Sequence, residues 1–258
     1  MERKMQEKEL EYYSKIANWD FSKINYEEEK VKNWDYFEEI KKYVNEKSFC
    51  LDLGTGGGEK VLKNYPKVGM IIATDSSKEM IYTAKENAKK YSEKNVRFGI
   101  MDNLKIEFPR DLFDLVSARH TRIDAKQIYD CLKDDGILVI EGVDQKDCWK
   151  LKELFGKGQC YNDNKAISEI DYENIVDAGF SKVEKFEILI NEYYKTEDDL
   201  MALLLKTPIL DDFSETSDLF NGHLKSIDSN LFKEYVNGFK TEKGILLERV
   251  LYGIVAKK

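Results

Sequence analysis

Aromatic residues set among charges dominate the start of the chain. Tyr12, Tyr13, Trp19, Phe21, Trp34, Tyr36 and Phe37 punctuate a largely polar pattern over residues 1–47, which predicts an amphipathic helical cap. From residue 48 the pattern changes. Apolar runs at 48–53, 69–74, 95–101, 113–118 and 137–143 read as buried strands, each separated from the next by helix-like periodicity. That rhythm predicts an α/β fold, a doubly wound and mostly parallel sheet with helices on both faces.

The helix signals between these runs are specific. SSKEMIYTAKENAKKY, directly after Asp75, begins with capping serines and carries a glutamate at the capping-box position. TRIDAKQIYDCLKDDG reads as a helix closed at Gly136. Beyond residue 150 the spacing predicts a helix near 168–178 ending at DAGF, a strand near 182–190, and a last strand in ILLERVLYGIVAKK. Residues 191–241 form a helical and polar stretch before that strand. So long a connection usually has a function or structure of its own, and it is expected to be a substrate-side insertion. The expected division is a helical cap over 1–47 and one main domain over 48–258, with 191–241 inserted late.

Composition narrows the class. Of 258 residues, 42% are hydrophobic and 35% charged, with only 3 prolines, as in an ordered, helix-rich chain. Lysine and arginine number 41 against 49 acids, a net charge of −8. That balance argues against tight binding to bulk nucleic acid, although a local basic patch is compatible with it. The first ten residues are too charged for a signal peptide, and no run of about 18 apolar residues exists, so a cytoplasmic protein without a membrane span is expected. Cys50, Cys131, Cys148 and Cys160 show no close pairing of the kind zinc or redox sites use. They fit a reducing compartment, and no metal site is expected.

The candidate chemistry begins at FCLDLGTGGGEK, residues 49–60. A strand that ends in glycines and opens a helix lets backbone N–H groups approach a ligand closely. The dinucleotide fingerprint GxGxxG fails here, because Glu59 stands where the third glycine belongs. Asp52 would also repel a pyrophosphate. A carboxylate in that place suits a ligand with a cationic end, and S-adenosylmethionine has both an ammonium and a sulfonium. Asp75, at the end of the next strand and beside Ser76, can accept from both hydroxyls of a ribose. Asp102 ends the strand after that, where it can accept from an adenine amine while Met80 and Met101 offer soft apolar surface. Three consecutive strands thus end in carboxylates at the sheet edge where ligands of open α/β sheets bind.

LDLGTGGGE, ATDSSKEM and MDNLKIEFPRDLFDLVSARH resemble the class I S-adenosylmethionine-dependent methyltransferases, and within them the UbiE-like small-molecule branch. The motifs cover about 48–145, and the long last strand is similar to that family's antiparallel seventh strand. The resemblance implies a Rossmann-like sheet of seven strands. It implies that Asp52, Gly54, Thr55 and Gly56 face the methionyl part of the cofactor, Asp75 the ribose, and Asp102 with the Asn103 backbone the adenine. Asp134 and Asp135 stand where the family commonly shows a Pro-Gly turn, though Gly136 remains.

Methyl transfer from a sulfonium needs alignment and exclusion of water more than acid–base machinery. The fourth strand ends in Arg119, His120 and Arg122, near the expected methyl position. His120 can act as a general base on a hydroxyl or amine, or can shape the pocket. Arg119 can orient an anionic group or pair with a neighbouring acid, and Glu141 and Asp144 would line the same edge. His223 reads as a surface residue. The expectation is methylation of a small molecule at oxygen, nitrogen or carbon, with S-adenosylhomocysteine as the product. Alternatives are an RNA methyltransferase, a module that binds S-adenosylmethionine without turnover, and a nicotinamide oxidoreductase, the last disfavoured by Asp52 and Glu59.

Overall fold

A computed structural model describes residues 23–91, 95–211 and 227–258. Strand β1 (Tyr26–Lys32) and the short helix α1 (Tyr36–Lys41) come first. Then β2 (Phe49–Leu53), α2 (Glu59–Asn64), β3 (Met70–Asp75), α3 (Lys78–Ala88) and β4 (Val96–Ile100) alternate. They are followed by β5 (Phe113–Arg119), α4 (Ala125–Cys131), β6 (Leu132–Val143), α5 (Trp149–Phe155) and α6 (Ile167–Asp177). The chain closes with β7 (Lys182–Tyr194), α7 (Glu197–Lys206), α8 (Ser229–Phe239) and β8 (Ile245–Lys257).

One sheet of eight strands runs β1-β7-β8-β6-β5-β2-β3-β4. β4, β3, β2, β5 and β6 are parallel neighbours, while β8 pairs antiparallel with both β6 and β7. This is the expected Rossmann-like, doubly wound class with its antiparallel last strand. The count is eight rather than seven because the N-terminal segment, expected to be a mostly helical cap, supplies β1, which pairs antiparallel with β7 at the sheet edge. Tyr26 stacks on Tyr194 there, with ring centroids 5.3 Å apart. Tyr12, Tyr13, Trp19 and Phe21 lie outside the described residues.

Two cores sandwich the sheet. On one face α4 and α6 pack Ala125, Ile128 and Ile175 against Leu51, Leu53, Leu138 and Ile254. On the other, Tyr36 and Ile40 of α1 and Val61 and Leu62 of α2 cover Cys50, Leu115, Val139 and Val255. Asp35 caps α1 by accepting from the backbone N–H groups of Phe37 and Glu38. Trp34 stacks on Phe186 at 5.5 Å and fits over β8 only because residue 253 is glycine: a Cβ there would lie 2.7 Å from the indole.

A third core holds the late segment. Leu200, Leu203 and Leu204 of α7 and Phe232, Tyr235 and Val236 of α8, spaced at one helical face, close on Leu151, Tyr194 and Leu247. Residues 212–226, including His223, lie outside the described residues. The helix expected to run to Gly136 ends earlier, at Cys131. Lys133–Gly136 instead bulges from the start of β6, where the register jumps from Leu132 to Ile137 and Asp135 takes a left-handed backbone.

Candidate functional site

The glycine turn follows β2, the central strand at which the connections change sides, so its carboxyl end opens a crevice. Gly54, Gly56 and Gly58 all have positive φ, at 71°, 57° and 75°, a backbone that side chains resist. At Gly54 a Cβ would also lie 2.6 Å from the Thr121 side chain, whereas at Gly56 it would point into open space. The turn is therefore tight underneath and open above, as a close approach to a ligand requires.

Asp75 shapes that turn. Its Oδ2 accepts from Gly56 N and its Oδ1 from Ser77 N, both at 2.9 Å. Burial raises its pKa, and those two N–H donors oppose the rise. Ser77 rather than Ser76 caps α3, accepting from Met80 N at 3.2 Å, and Ser76 is exposed. Glu79 consequently lies one position short of the capping box. Met80 and Met101 are buried at 3% and 8% exposure, below the surface of the crevice.

Asp52 is buried on the face that α1 covers. Its Oδ1 accepts from Ser117 Oγ at 2.9 Å, and the Ser117 hydroxyl lies 3.3 Å from that of Tyr65. With the Ser117 proton committed to Asp52, Tyr65 is the donor in the second bond, giving a chain from Tyr65 through Ser117 to Asp52. Burial pushes the Asp52 carboxyl up to about 7, against the lowering effect of Ser117 and of the Arg119 charge. A carboxylate so poised gains most from a cationic partner.

The remaining residues gather at the ends of β4, β5 and β6. Asp102 is exposed, and its Oδ1 accepts from Leu104 N at 2.9 Å. Asn103 is buried. Its Nδ2 donates to Thr121 Oγ1 at 2.8 Å while its Oδ1 has no partner, an unusual state for a buried acceptor. Arg119 Nε and His120 Nε2 lie 2.7 and 3.0 Å from the same Glu141 Oε1. Burial pushes Glu141 up, but the His120 bond and the Arg119 charge prevail and hold it at about 2.

His120 has φ of +52° and donates its backbone N–H to Glu141 O at 2.7 Å, a conformation that costs about 1–3 kcal/mol and concentrates at functional sites. A third of its side chain is open to solvent. Desolvation and the Arg119 charge lower its pKa, with Glu141 opposing, so the imidazole is neutral at pH 7.

Ser117, Tyr65, Thr121 and Asn87 were not singled out in the sequence. Asn87 Nδ2 reaches back from α3 to Gly57 O at 2.9 Å. A hydroxyl inside the apolar run of β5 was a signal for Ser117; the other three contacts depend on the tertiary approach of distant segments. Among the described residues no His, Cys, Asp and Glu group could hold a metal ion, and no helix is long and apolar enough to cross a membrane.

Comparison with known proteins gives the family and the fold. The methyltransferase-domain sequence model matches residues 45–201, more than half of the chain. The chain belongs to this methyltransferase-domain family, within the class I S-adenosylmethionine-dependent methyltransferases. A curated relative, the uncharacterized methyltransferase YcgJ of Bacillus subtilis, is 32% identical over 93 residues. That stretch spans 33% of this chain and 37% of the relative. The crystal structure of YcgJ covers 86% of this chain and 96% of its own, with a TM-score of 0.56 and 16% identity. Phosphoethanolamine N-methyltransferase 2 of Haemonchus contortus, solved with S-adenosylhomocysteine and phosphomonomethylethanolamine, has a TM-score of 0.50 and 20% identity. It covers 87% of this chain and 52% of that one. At these identities the two structures establish the fold.

Proposed function

We propose that this protein transfers the methyl group of S-adenosylmethionine to a small-molecule acceptor. The observation that carries the reading is the glycine turn tied by Gly56 N to the Asp75 carboxylate, with buried Asp52 beneath it. Asp52 faces the cationic aminoacyl end, Asp75 accepts from the ribose hydroxyls, and Asp102 with Asn103 bounds the adenine. When bound, the cofactor supplies an activated methyl group.

The chain's own part is to hold the acceptor in line, keep water out and take a proton where the acceptor carries one. His120 is placed for that last task. Its imidazole is neutral, so one ring nitrogen carries a lone pair that can accept a proton from a hydroxyl or amine. Arg119, held by Glu141, orients an anionic group of the acceptor or of the cofactor. The net charge of −8 supports a small molecule over RNA.

The test is release of S-adenosylhomocysteine from labelled S-adenosylmethionine across panels of small hydroxyl, amine and carbon acids, with bulk RNA in parallel. Turnover with one small-molecule class supports the reading. Turnover on RNA alone, or saturable cofactor binding with no turnover on any acceptor, would replace it.

A further inference from the structure

The cofactor-binding turn has carboxylates for a ribose and for an ammonium, and of the residues read from the sequence only Arg119 offers a donor to the carboxylate at the aminoacyl end. Arg119 is the nearest candidate by charge, and its Nε is already 2.7 Å from Glu141. A different group is free. Tyr36, the first residue of α1, is 3% exposed and its hydroxyl has no hydrogen-bond partner. A buried unpaired hydroxyl loses its water bonds on folding with nothing in return, so such groups are rare unless a ligand completes them.

The surroundings indicate the ligand. Tyr36 packs in the core that covers Cys50, Leu115 and Val139, the sheet face on which Asp52 and Ser117 also lie. Asp52 is the charge that acts on it most strongly, followed by Glu141 and then Arg119. Ser117 is also within reach, but its hydroxyl is already engaged by Asp52 at 2.9 Å and Tyr65 at 3.3 Å. A phenol with no partner is thus set beside a carboxylate poised for a cation. Together they match the two ends of an amino acid: Asp52 accepts from the ammonium and Tyr36 donates to the carboxylate.

We propose that Tyr36 is a cofactor-binding residue whose hydroxyl donates to the carboxylate of the aminoacyl group of S-adenosylmethionine, next to Asp52. The proposal rests on the function proposed above and extends it to the N-terminal segment. It makes α1, which lies before residues 45–201 of the matched domain, part of the binding site rather than a cover for it.

Tyr36→Phe tests it, because it removes one oxygen and keeps the ring. No bond within the ligand-free protein is lost, so the thermal midpoint without ligand stays the same or rises. Affinity for S-adenosylhomocysteine falls about tenfold or more, the worth of a hydrogen bond to a charged group. Affinity for 5′-methylthioadenosine, which has the nucleoside and no aminoacyl end, stays within twofold. Equal affinity of wild type and variant for S-adenosylhomocysteine would overturn the proposal and leave the function standing. An equal loss for both ligands would overturn the assignment to the carboxylate. A wild type that binds neither ligand would remove the function and this proposal with it.

Discussion

Arg119 Nε lies 2.7 Å from Glu141 Oε1, and the same oxygen is 3.0 Å from His120 Nε2, so one carboxylate fixes two neighbouring side chains at the end of β5. Glu141 is nearly buried and Arg119 about one-third exposed, so the pair is only partly screened by water. Glu141→Gln is expected to destabilise the fold by about 1.5–3 kcal/mol at pH 7, read by urea unfolding. The folded carboxyl titrates at about 2 against an ordinary 4.5. The native state therefore binds fewer protons than the unfolded state in that window. The stabilisation is complete above about pH 4.5 and disappears as pH falls through about 2, so the gap between wild type and variant should close over that range.

His120 shares the Glu141 carboxylate with Arg119. His120→Ala is expected to leave S-adenosylhomocysteine affinity within a few fold and to cut turnover by about 10²-fold on an acceptor that must lose a proton. Unchanged kcat would remove His120 from the chemistry.

Asp52 gives a pH dependence of opposite sign. Its folded pKa, about 7, lies above the ordinary 3.8, so the native state holds the proton more tightly than the unfolded state. Its ionisation costs folding stability as pH rises from about 4 to 7. Asp52→Asn should be at least as stable as wild type at pH 8 in thermal unfolding and should bind the cofactor poorly. Wild-type affinity for S-adenosylhomocysteine should rise between pH 6 and 8, because only the carboxylate form pairs with an ammonium. A flat profile in calorimetry would contradict that pairing.

Gly54→Ala combines two penalties: a left-handed φ of 71° and a Cβ 2.6 Å from Thr121. A loss of about 1–3 kcal/mol is expected from unfolding curves. Gly56→Ala has the unfavourable φ without the clash, so it should cost less stability but place a methyl group where the ligand approaches.

Much of this was readable in the chain because local rules and tertiary structure agree there. The strands from β2 to β6 announce themselves as apolar runs, and the glycine turn and Asp75 are tied to each other by backbone geometry that the motif encodes. The exceptions have physical causes. Residues 26–32, YEEEKVK, carry the charge of an exposed helix face, yet all seven residues are exposed on an edge strand whose partner is β7, more than 150 residues away. Gly136 looked like a helix terminus, but Leu132 is already paired with Phe113, and the bulge that follows absorbs the glycine. Arg119, His120 and Glu141 were each candidates, whereas their shared oxygen follows from the register of β5 against β6, which sets Arg119 opposite Glu141. Tyr36 was visible only as one aromatic among many; its unpaired hydroxyl is a property of the packed molecule.

The central claim is that this glycine turn holds an adenosyl cofactor through Asp75. Calorimetric titration of the wild-type protein and Asp75→Ala with S-adenosylhomocysteine, and with NAD in parallel, tests it most directly. Saturable binding of S-adenosylhomocysteine by wild type, weakened about tenfold or more in Asp75→Ala, with no binding of NAD, is the expected result. Binding of NAD in its place, or equal affinity of wild type and variant for S-adenosylhomocysteine, would contradict it.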